Sequence, residues 1–151
     1  MDADHLSARA AIRIHGTPDR VFSAFVEADA MSRFWFTRRD EGLRAGQTVT
    51  WFLGDGDDAM GFEIRVTEVE RPDRIVIEWE NGGELTTVTW SIVRIGEQEA
   101  ILTIEETGFG GSQDAIIERV VDSTGGFNQV VLAAKAFVEH GIALDVVRDH
   151  A

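Results

Sequence analysis

The sequence predicts a two-layer α+β fold in which a curved antiparallel sheet of six strands lies against one long C-terminal helix. Between residues 47 and 109, apolar side chains recur at every second position in five successive runs, as in strands with one buried face. Residues 114–140 follow the helical period, with an apolar stripe on one side and polar residues opposite. A helix of this length spans about 40 Å. Its apolar stripe therefore needs the sheet as a partner.

The N-terminal part of the chain predicts one strand and two short helices. Residues 6–15 alternate loosely between apolar and other side chains, which predicts the first strand. Thr17-Pro18 predicts a helix start, because a threonine hydroxyl caps the helix and proline fits its first position. This helix is expected to end near residues 28–29, and a second one is expected over residues 30–36.

The five later strands follow one another through turns of a few residues, which predicts an antiparallel meander. The turns are expected at 55–58, 72–73, 81–83 and 96–97. The side chains predicted to face inward are Val49, Trp51, Leu53, Met60, Phe62, Ile64, Val66, Ile75, Ile77, Trp79, Val88, Trp90, Ile92, Ala100, Leu102 and Ile104. We expect residues 1–151 to form a single domain.

Composition narrows the classes of function. A formal net charge of −13 argues against nucleic-acid binding, because a phosphate backbone would be repelled over most of the surface. No apolar run reaches the roughly 18 residues of a membrane span, and the first residues lack a signal peptide's basic start and apolar centre. We therefore expect a cytoplasmic protein with no membrane span.

The content of cysteine and histidine bears on metals and cofactors. The absence of cysteine excludes disulfides, thiolate nucleophiles and cysteine-bound metals. His5, His15, His140 and His150 show no ligand spacing, so no metal site is predicted. No glycine-rich phosphate loop follows a strand, and no cofactor is predicted.

Four segments resemble one family. Residues 17–25 with Phe34-Trp35 resemble the "P-x-x-V-W-x-A … W-W" opening of the SRPBCC superfamily, and residues 67–79 resemble its "E-V-x-x-P-x-R-L-V-x-x-W" hairpin. Residues 102–109 are similar to "L-T-L-T-H-x-G-F", and residues 126–139 to "G-W-x-x-x-L-x-x-L-K-x-x-L-E". Together they resemble the small bacterial form of the family named after the activator of the heat-shock-protein-90 ATPase. The resemblance implies the helix-grip (START-like) fold, with the long helix across the concave face of the sheet.

Two departures from the family pattern suggest a site. Phe127 replaces a tryptophan, and Val131 and Ala134 replace leucines, on the helix face that meets the sheet. Each change shrinks the side chain, so either the sheet residues fill the space or a ligand does. The expected lining of a pocket for an apolar or aromatic ligand is Trp35, Trp51, Phe62, Trp79, Trp90, Phe109, Phe127, Val131 and Ala134.

Glu106 is the candidate catalytic residue, because it stands where the family pattern has histidine and shares the inward parity of Leu102 and Ile104. A carboxyl at the rim of an apolar pocket suits proton transfer or a hydrogen bond to a ligand. The alternative is that the strand twists there and Glu106 reaches solvent or an arginine. Ser123 and Thr124 could supply hydroxyls, or simply bond back to the helix beside Gly125-Gly126, a weak point where the segment before Thr124 could bend or separate from the main helix.

Two charged clusters have a functional and a structural interpretation. Arg33, Arg38, Arg39 and Arg44 could hold an anionic group at the pocket mouth, or could be a solvated surface that balances nearby carboxylates. Residues 55–58 carry three aspartates that could suggest calcium. A hairpin turn explains them better, because the spacing of a calcium loop is missing.

Three functions remain open. The first is binding of a small hydrophobic or aromatic molecule, and the second is a cyclase- or hydrolase-like enzyme in which Glu106 moves a proton. The third is a co-chaperone module that stimulates a chaperone ATPase, which the resemblance implies. A chaperone partner is not favoured, because the chain lacks room for an additional chaperone-contacting domain. The oligomeric state, monomer or homodimer, is left open.

Overall fold

A computed structural model describes residues 5–36, 38–39, 41–54 and 56–149 of the chain. Their helices and strands follow the predicted order. The strands are β1 (Ala8–Ile14), β2 (Arg38–Arg39), β3 (Thr48–Leu53), β4 (Met60–Glu70), β5 (Arg74–Asn81), β6 (Glu84–Gly96) and β7 (Glu99–Thr107). The helices are α1 (Pro18–Val26), α2 (Ala28–Met31) and α3 (Gln113–His140), and a single 3-10 turn (Gly56–Asp58) lies between β3 and β4.

The strands form one antiparallel sheet in the order β1-β7-β6-β5-β4-β3-β2. The six predicted strands and the meander are therefore confirmed, and β2 adds a two-residue strand at one edge. β1 closes the opposite edge by pairing with β7, from Ala8 opposite Glu106 to Ile14 opposite Ala100. Register shifts in β4 and β6 bend the sheet, because an extra residue in one strand increases its local twist.

The start of α1 is as predicted. The Thr17 side chain accepts a hydrogen bond from the backbone N–H of Arg20 at 3.3 Å, and Pro18 is the first helical residue. Val21, Phe22 and Phe25 are buried. The predicted second helix over residues 30–36 is wrong in its bounds, because α2 is a single turn that ends at Met31. The following residues leave the helical path to place aromatic rings in the core.

Helix α3 is the second layer and lies mainly along β1. Its Ser112 cap accepts from the N–H of Ala115 at 3.2 Å, and Gly141 ends it in a left-handed conformation (φ 66°) that glycine adopts without strain. Helix α3 runs through Gly125-Gly126 as one continuous helix of 28 residues, so the segment before Thr124 does not separate from it. Packing on both sides of the glycines outweighs their low helix propensity.

The core lies between the inner face of the sheet and the three helices. Trp51, Trp90, Ile77 and Leu102 have at most 1% of their surface exposed. The core is filled above β1, β7 and β6, where α1 and α3 lie. The inner faces of β3, β4 and β5 extend beyond the helices, and this uncovered part of the sheet positions the site.

Candidate functional site: an aromatic pocket beside the long helix

A pocket of about 400 Å³ lies between one flank of α3 and the inner ends of β3, β4 and β5. Ligand pockets usually have volumes from about 300 Å³ upward, so this space is large enough for a small molecule. Helix α3 contributes about two and a half turns, from Asp122 to Val130. Val146 and Val147, in the segment that follows α3, complete the wall.

Five aromatic side chains are on the wall: Trp35, Phe36, Phe62, Trp79 and Phe127. The ring of Trp79 on β5 stacks on Phe127 of α3, with centroids 6.4 Å apart and an angle of 11° between the planes. Trp35 contacts both rings edge-on, at 6.3 and 6.4 Å. Such contacts fix ring orientation as well as burying area, so the wall is a preformed aromatic surface.

Four of the nine residues expected to line a pocket are on this wall: Trp35, Phe62, Trp79 and Phe127. The other five are not on it but are buried in the adjoining core: Trp51, Trp90, Phe109, Val131 and Ala134. The pocket opens at the side of α3 rather than beneath it. For this reason Val130, the neighbour of Val131, reaches the wall.

Trp35 connects the wall to the core behind it. It follows α2 and contacts the buried rings of Trp51 at 5.9 Å and Trp90 at 6.1 Å. The indole nitrogens of Trp51 and Trp90 have no hydrogen-bond partner in the described part of the chain. These two tryptophans therefore act as apolar volume that supports Trp35 from behind.

Glu106 lies behind the wall, at the end of β7, with none of its surface exposed. Its Oε2 accepts three hydrogen bonds: from Trp79 Nε1 at 2.8 Å, from Asn81 Nδ2 at 3.0 Å and from Thr86 Oγ1 at 2.5 Å. Its Oε1 is buried and has no partner among the described residues. Asn81 Nδ2 also donates to Ser123 Oγ at 3.1 Å, which joins the carboxyl to helix α3.

The inward parity predicted for Glu106 agrees with its burial. The alternative, in which it reaches solvent or an arginine, is wrong, because its partners are an indole, an amide and a hydroxyl. Glu106 is not itself on the pocket wall, but two of its donors, Trp79 and Asn81, are. Glu106 therefore contributes to the pocket by accepting the hydrogen bonds that position Trp79 and Asn81.

Several residues of the pocket wall were not predicted from the sequence, chiefly Asn81 and Phe36. Asn81 was expected in a turn, yet it extends the alternation of Ile75, Ile77 and Trp79 by one step and closes β5. That alternation was the signal that could have found it. Of the two predicted hydroxyls, Ser123 is on the wall and accepts from Asn81, while Thr124 bonds back to Val120 O at 2.6 Å.

The described arginines of the predicted cluster, Arg33, Arg39 and Arg44, do not together form one anion-binding site. Arg39 is buried and donates to Phe25 O at 2.6 Å and Val26 O at 2.5 Å, at the end of α1. Burial lowers the pKa of Arg39 to about 10, so the guanidinium stays charged at neutral pH. Arg44 is exposed beside Glu41, and Arg33 is exposed, whereas the Arg38 side chain, Asp40 and Asp55 lie outside the described residues.

Among the described residues, no three histidine, aspartate or glutamate side chains are grouped closely enough to hold a metal ion. No helix in the part of the chain that the structure describes is long and apolar enough to cross a membrane.

An antiparallel sheet that grips a long C-terminal helix, with a pocket between the two, defines a helix-grip protein. The profile of the family described as "Activator of Hsp90 ATPase homolog 1-like protein" matches residues 15–133. The chain belongs to this family. No curated protein matches the sequence.

Solved structures agree on the fold. A protein from Staphylococcus saprophyticus is 21% identical with a TM-score of 0.73, over 92% of this chain and 96% of that one. DynU16, described as a putative protein in the dynemicin biosynthetic locus, is 21% identical with a TM-score of 0.77, over 91% of this chain and 48% of that one. The Aha1 dimer from Colwellia psychrerythraea is 15% identical with a TM-score of 0.72, over 90% of this chain and 98% of that one.

Proposed function

We propose that this protein binds a small, mostly apolar aromatic molecule in the pocket beside α3. The observation that carries the proposal is a space of about 400 Å³ whose wall has five aromatic rings, four aliphatic side chains and a few polar groups. Pockets for small molecules have this composition, with an apolar lining and a small number of polar groups that fix orientation.

The energetics favour an occupant. Trp35, Phe62 and Trp79 are only partly buried, so each keeps apolar surface that a ligand would remove from water. Burial of apolar surface contributes about 25 cal/mol per Å². A flat aromatic ligand matches the flat rings of the wall.

A neutral fluorescent probe, N-phenyl-1-naphthylamine, tests this proposal. We expect saturable binding of one probe per chain, an increase in probe emission, and energy transfer from the wall tryptophans, which lie within contact distance of the pocket. Native mass spectrometry of protein purified without detergent should show a co-purifying small molecule or an empty pocket that takes up the probe. Absence of saturable binding of neutral aromatic probes up to millimolar concentration would reject the proposal.

An enzyme of the cyclase or hydrolase kind is the second candidate. Its support is Glu106 Oε1, a buried carboxyl oxygen without a partner among the described residues, one residue behind the wall. Such an oxygen is available to take or give a proton if a substrate reaches it. Turnover of a bound compound that is lost in Glu106→Gln, while affinity is kept, would establish this function. Turnover unaffected by the substitution would remove it.

A co-chaperone function is the third candidate, and the family description supports it. It predicts stimulation of the ATPase of a heat-shock-protein-90 chaperone by the purified chain. We favour ligand binding over this function because the pocket gives it a defined site, whereas no surface of the described residues is assigned to a chaperone. An ATPase rate that does not change at high concentrations of the chain is the expected result.

A further inference from the structure

We infer that Asn81 selects, among aromatic ligands, those that carry an O–H or N–H donor, and that Glu106 is the positioning residue that sets this preference. The inference rests on the ligand-binding function proposed above. The basis of the inference is the direction of the hydrogen bonds that Glu106 Oε2 accepts within the protein.

The Trp79 indole determines the direction of the network. An indole N–H can only donate, so Oε2, 2.8 Å from Trp79 Nε1, is an accepting oxygen. The Thr86 hydroxyl, 2.5 Å from the same oxygen, also donates to it. Because Trp79 is also stacked on Phe127, this donor cannot rotate away without losing the ring contact.

The Asn81 amide has one orientation that fits this network. With Oε2 accepting, Asn81 turns its Nδ2 toward Glu106 at 3.0 Å, since the opposite orientation would bring two acceptor oxygens together. The second Nδ2 proton is used by Ser123 Oγ at 3.1 Å. Asn81 Oδ1 is left over: it has no hydrogen-bond partner among the described residues, and it is not one of the unpartnered side-chain atoms that are fully buried, so solvent can reach it. It is an acceptor on the pocket wall.

The other polar groups of the wall point to the same class of ligand. Glu80 and Asp122 are exposed carboxylates at the rim, and neither makes a hydrogen bond or ion pair within the described residues. Gln129, the remaining polar side chain with a long reach, can donate or accept. No lysine, arginine or histidine is on the described wall. Arg119 is not on the wall; it packs against Gly82 and donates to Gly110 O at 2.9 Å.

Acceptors outnumber donors at this polar end, and ionised carboxylates repel anions. A ligand with a hydroxyl or amine group satisfies Asn81 Oδ1, while a ligand without a donor leaves that oxygen desolvated and unpaired. Leaving a polar atom unpaired in this way costs about 1 to 3 kcal/mol. A donor-bearing ligand is therefore expected to bind roughly five- to 150-fold more tightly than its donor-free analogue. An aromatic carboxylate is expected to bind more weakly than either.

Three probes of nearly equal size test the inference on the wild-type protein: 2-naphthol, 2-methoxynaphthalene and 2-naphthoate, each titrated by displacement of N-phenyl-1-naphthylamine. The expected order of affinity is naphthol, then methoxynaphthalene, then naphthoate. Equal affinity of naphthol and methoxynaphthalene would overturn the role of Asn81 while leaving the pocket intact. If none of the three binds and the fluorescent probe also fails, the proposed function and this inference fall together.

Two variants assign the preference to its residues. In Asn81→Leu, naphthol should fall to the affinity of methoxynaphthalene, which itself should not weaken. In Glu106→Leu, no acceptor holds Asn81 Nδ2 and the amide can turn, so the ratio of the two affinities should shrink toward one. Asn128→Leu is the matched control, because Asn128 is exposed on α3, donates to Thr124 O and is not on the wall. An unchanged ratio in Asn81→Leu would overturn the inference.

Discussion

The indole of Trp79 donates a hydrogen bond to Glu106 Oε2 at 2.8 Å while its ring stacks on Phe127. One side chain thus joins a fully buried carboxyl to the wall of the pocket and to helix α3. Burying a polar or charged group inside a protein costs free energy unless the group is hydrogen-bonded. The three donors around Oε2 therefore stabilise the fold and give the pocket its shape at the same time.

Coupling between Trp79 and Glu106 is the first prediction. Trp79→Phe keeps an aromatic ring beside Phe127 but removes the N–H donor, and Glu106→Leu removes its acceptor. Each substitution should lower the free energy of unfolding in urea by about 1 to 3 kcal/mol. Because both remove the same contact, the double variant should lose less than the sum of the two, by about 1 kcal/mol. Strict additivity would show that the bond contributes nothing.

The two helical glycines of α3 provide the second prediction. A Cβ added at Gly125 or at Gly126 meets no heavy atom within 4 Å outside the helix itself. Gly125→Ala and Gly126→Ala should therefore each raise the free energy of unfolding by about 0.5 to 1 kcal/mol, which is the helix preference of alanine over glycine. Circular dichroism during urea unfolding measures this. Destabilisation by either alanine would show that α3 departs from a regular helix there.

Arg39 provides the third prediction. Its guanidinium satisfies two carbonyls at the end of α1, Phe25 O and Val26 O, and its charged end lies 5.5 Å from the ring centroid of Trp51. Arg39→Met keeps much of the side-chain volume but leaves both carbonyls without this donor. We expect a loss of about 3 kcal/mol in the free energy of unfolding. Arg44→Met, at an exposed arginine, is the control and should change it by less than about 0.5 kcal/mol. Equal effects would contradict the assigned role.

The fourth prediction concerns acid. Burial alone would raise the pKa of Glu139, but hydrogen bonds from Lys135 and from the His15 N–H, together with the charge of Lys135, hold that pKa below its ordinary value of 4.5. A carboxyl whose pKa is lowered by folding stabilises the native state above its unfolded pKa and loses this effect as the pH falls.

Stability measured against pH in wild type and Glu139→Gln tests this. The wild type should exceed the variant in free energy of unfolding above pH 4.5, and the difference should shrink as the pH drops below that value. Glu139 accepts from His15 N at 3.0 Å, and the glutamine can retain that bond. The variant therefore removes mainly the charge. A difference that does not depend on pH would contradict the assignment.

Much of the fold could be predicted from local sequence. Alternation located the six long strands because each has one buried face, and Thr17-Pro18 marked the start of α1. The extent of α2 could not be predicted, because Phe34, Trp35 and Phe36 fit a helical stripe but are placed by the tertiary packing of their rings. The two-residue β2 has too few residues for any period.

Less of the pocket wall than of the fold could be predicted from the sequence. Alternation identifies which side chains face inward, and it correctly gave Glu106, Trp79 and Phe62 an inward position. It does not tell where helices stop covering the sheet, which decides whether an inward residue lies in the core, as Trp90 does, or on the pocket wall, as Trp79 does. The hydrogen bond from Trp79 to Glu106 spans 27 residues and leaves no local signal.

The most direct test of a ligand-binding pocket is a pair of leucine substitutions on adjacent residues of α3. Gly126 is on the pocket wall and Gly125 is not, yet both are helical glycines with open space around an added Cβ. Titration of N-phenyl-1-naphthylamine into Gly126→Leu should show binding weakened at least tenfold, because the side chain occupies the pocket, while Gly125→Leu binds like the wild type. Equal affinity in all three proteins would contradict the assignment of this pocket as the binding site.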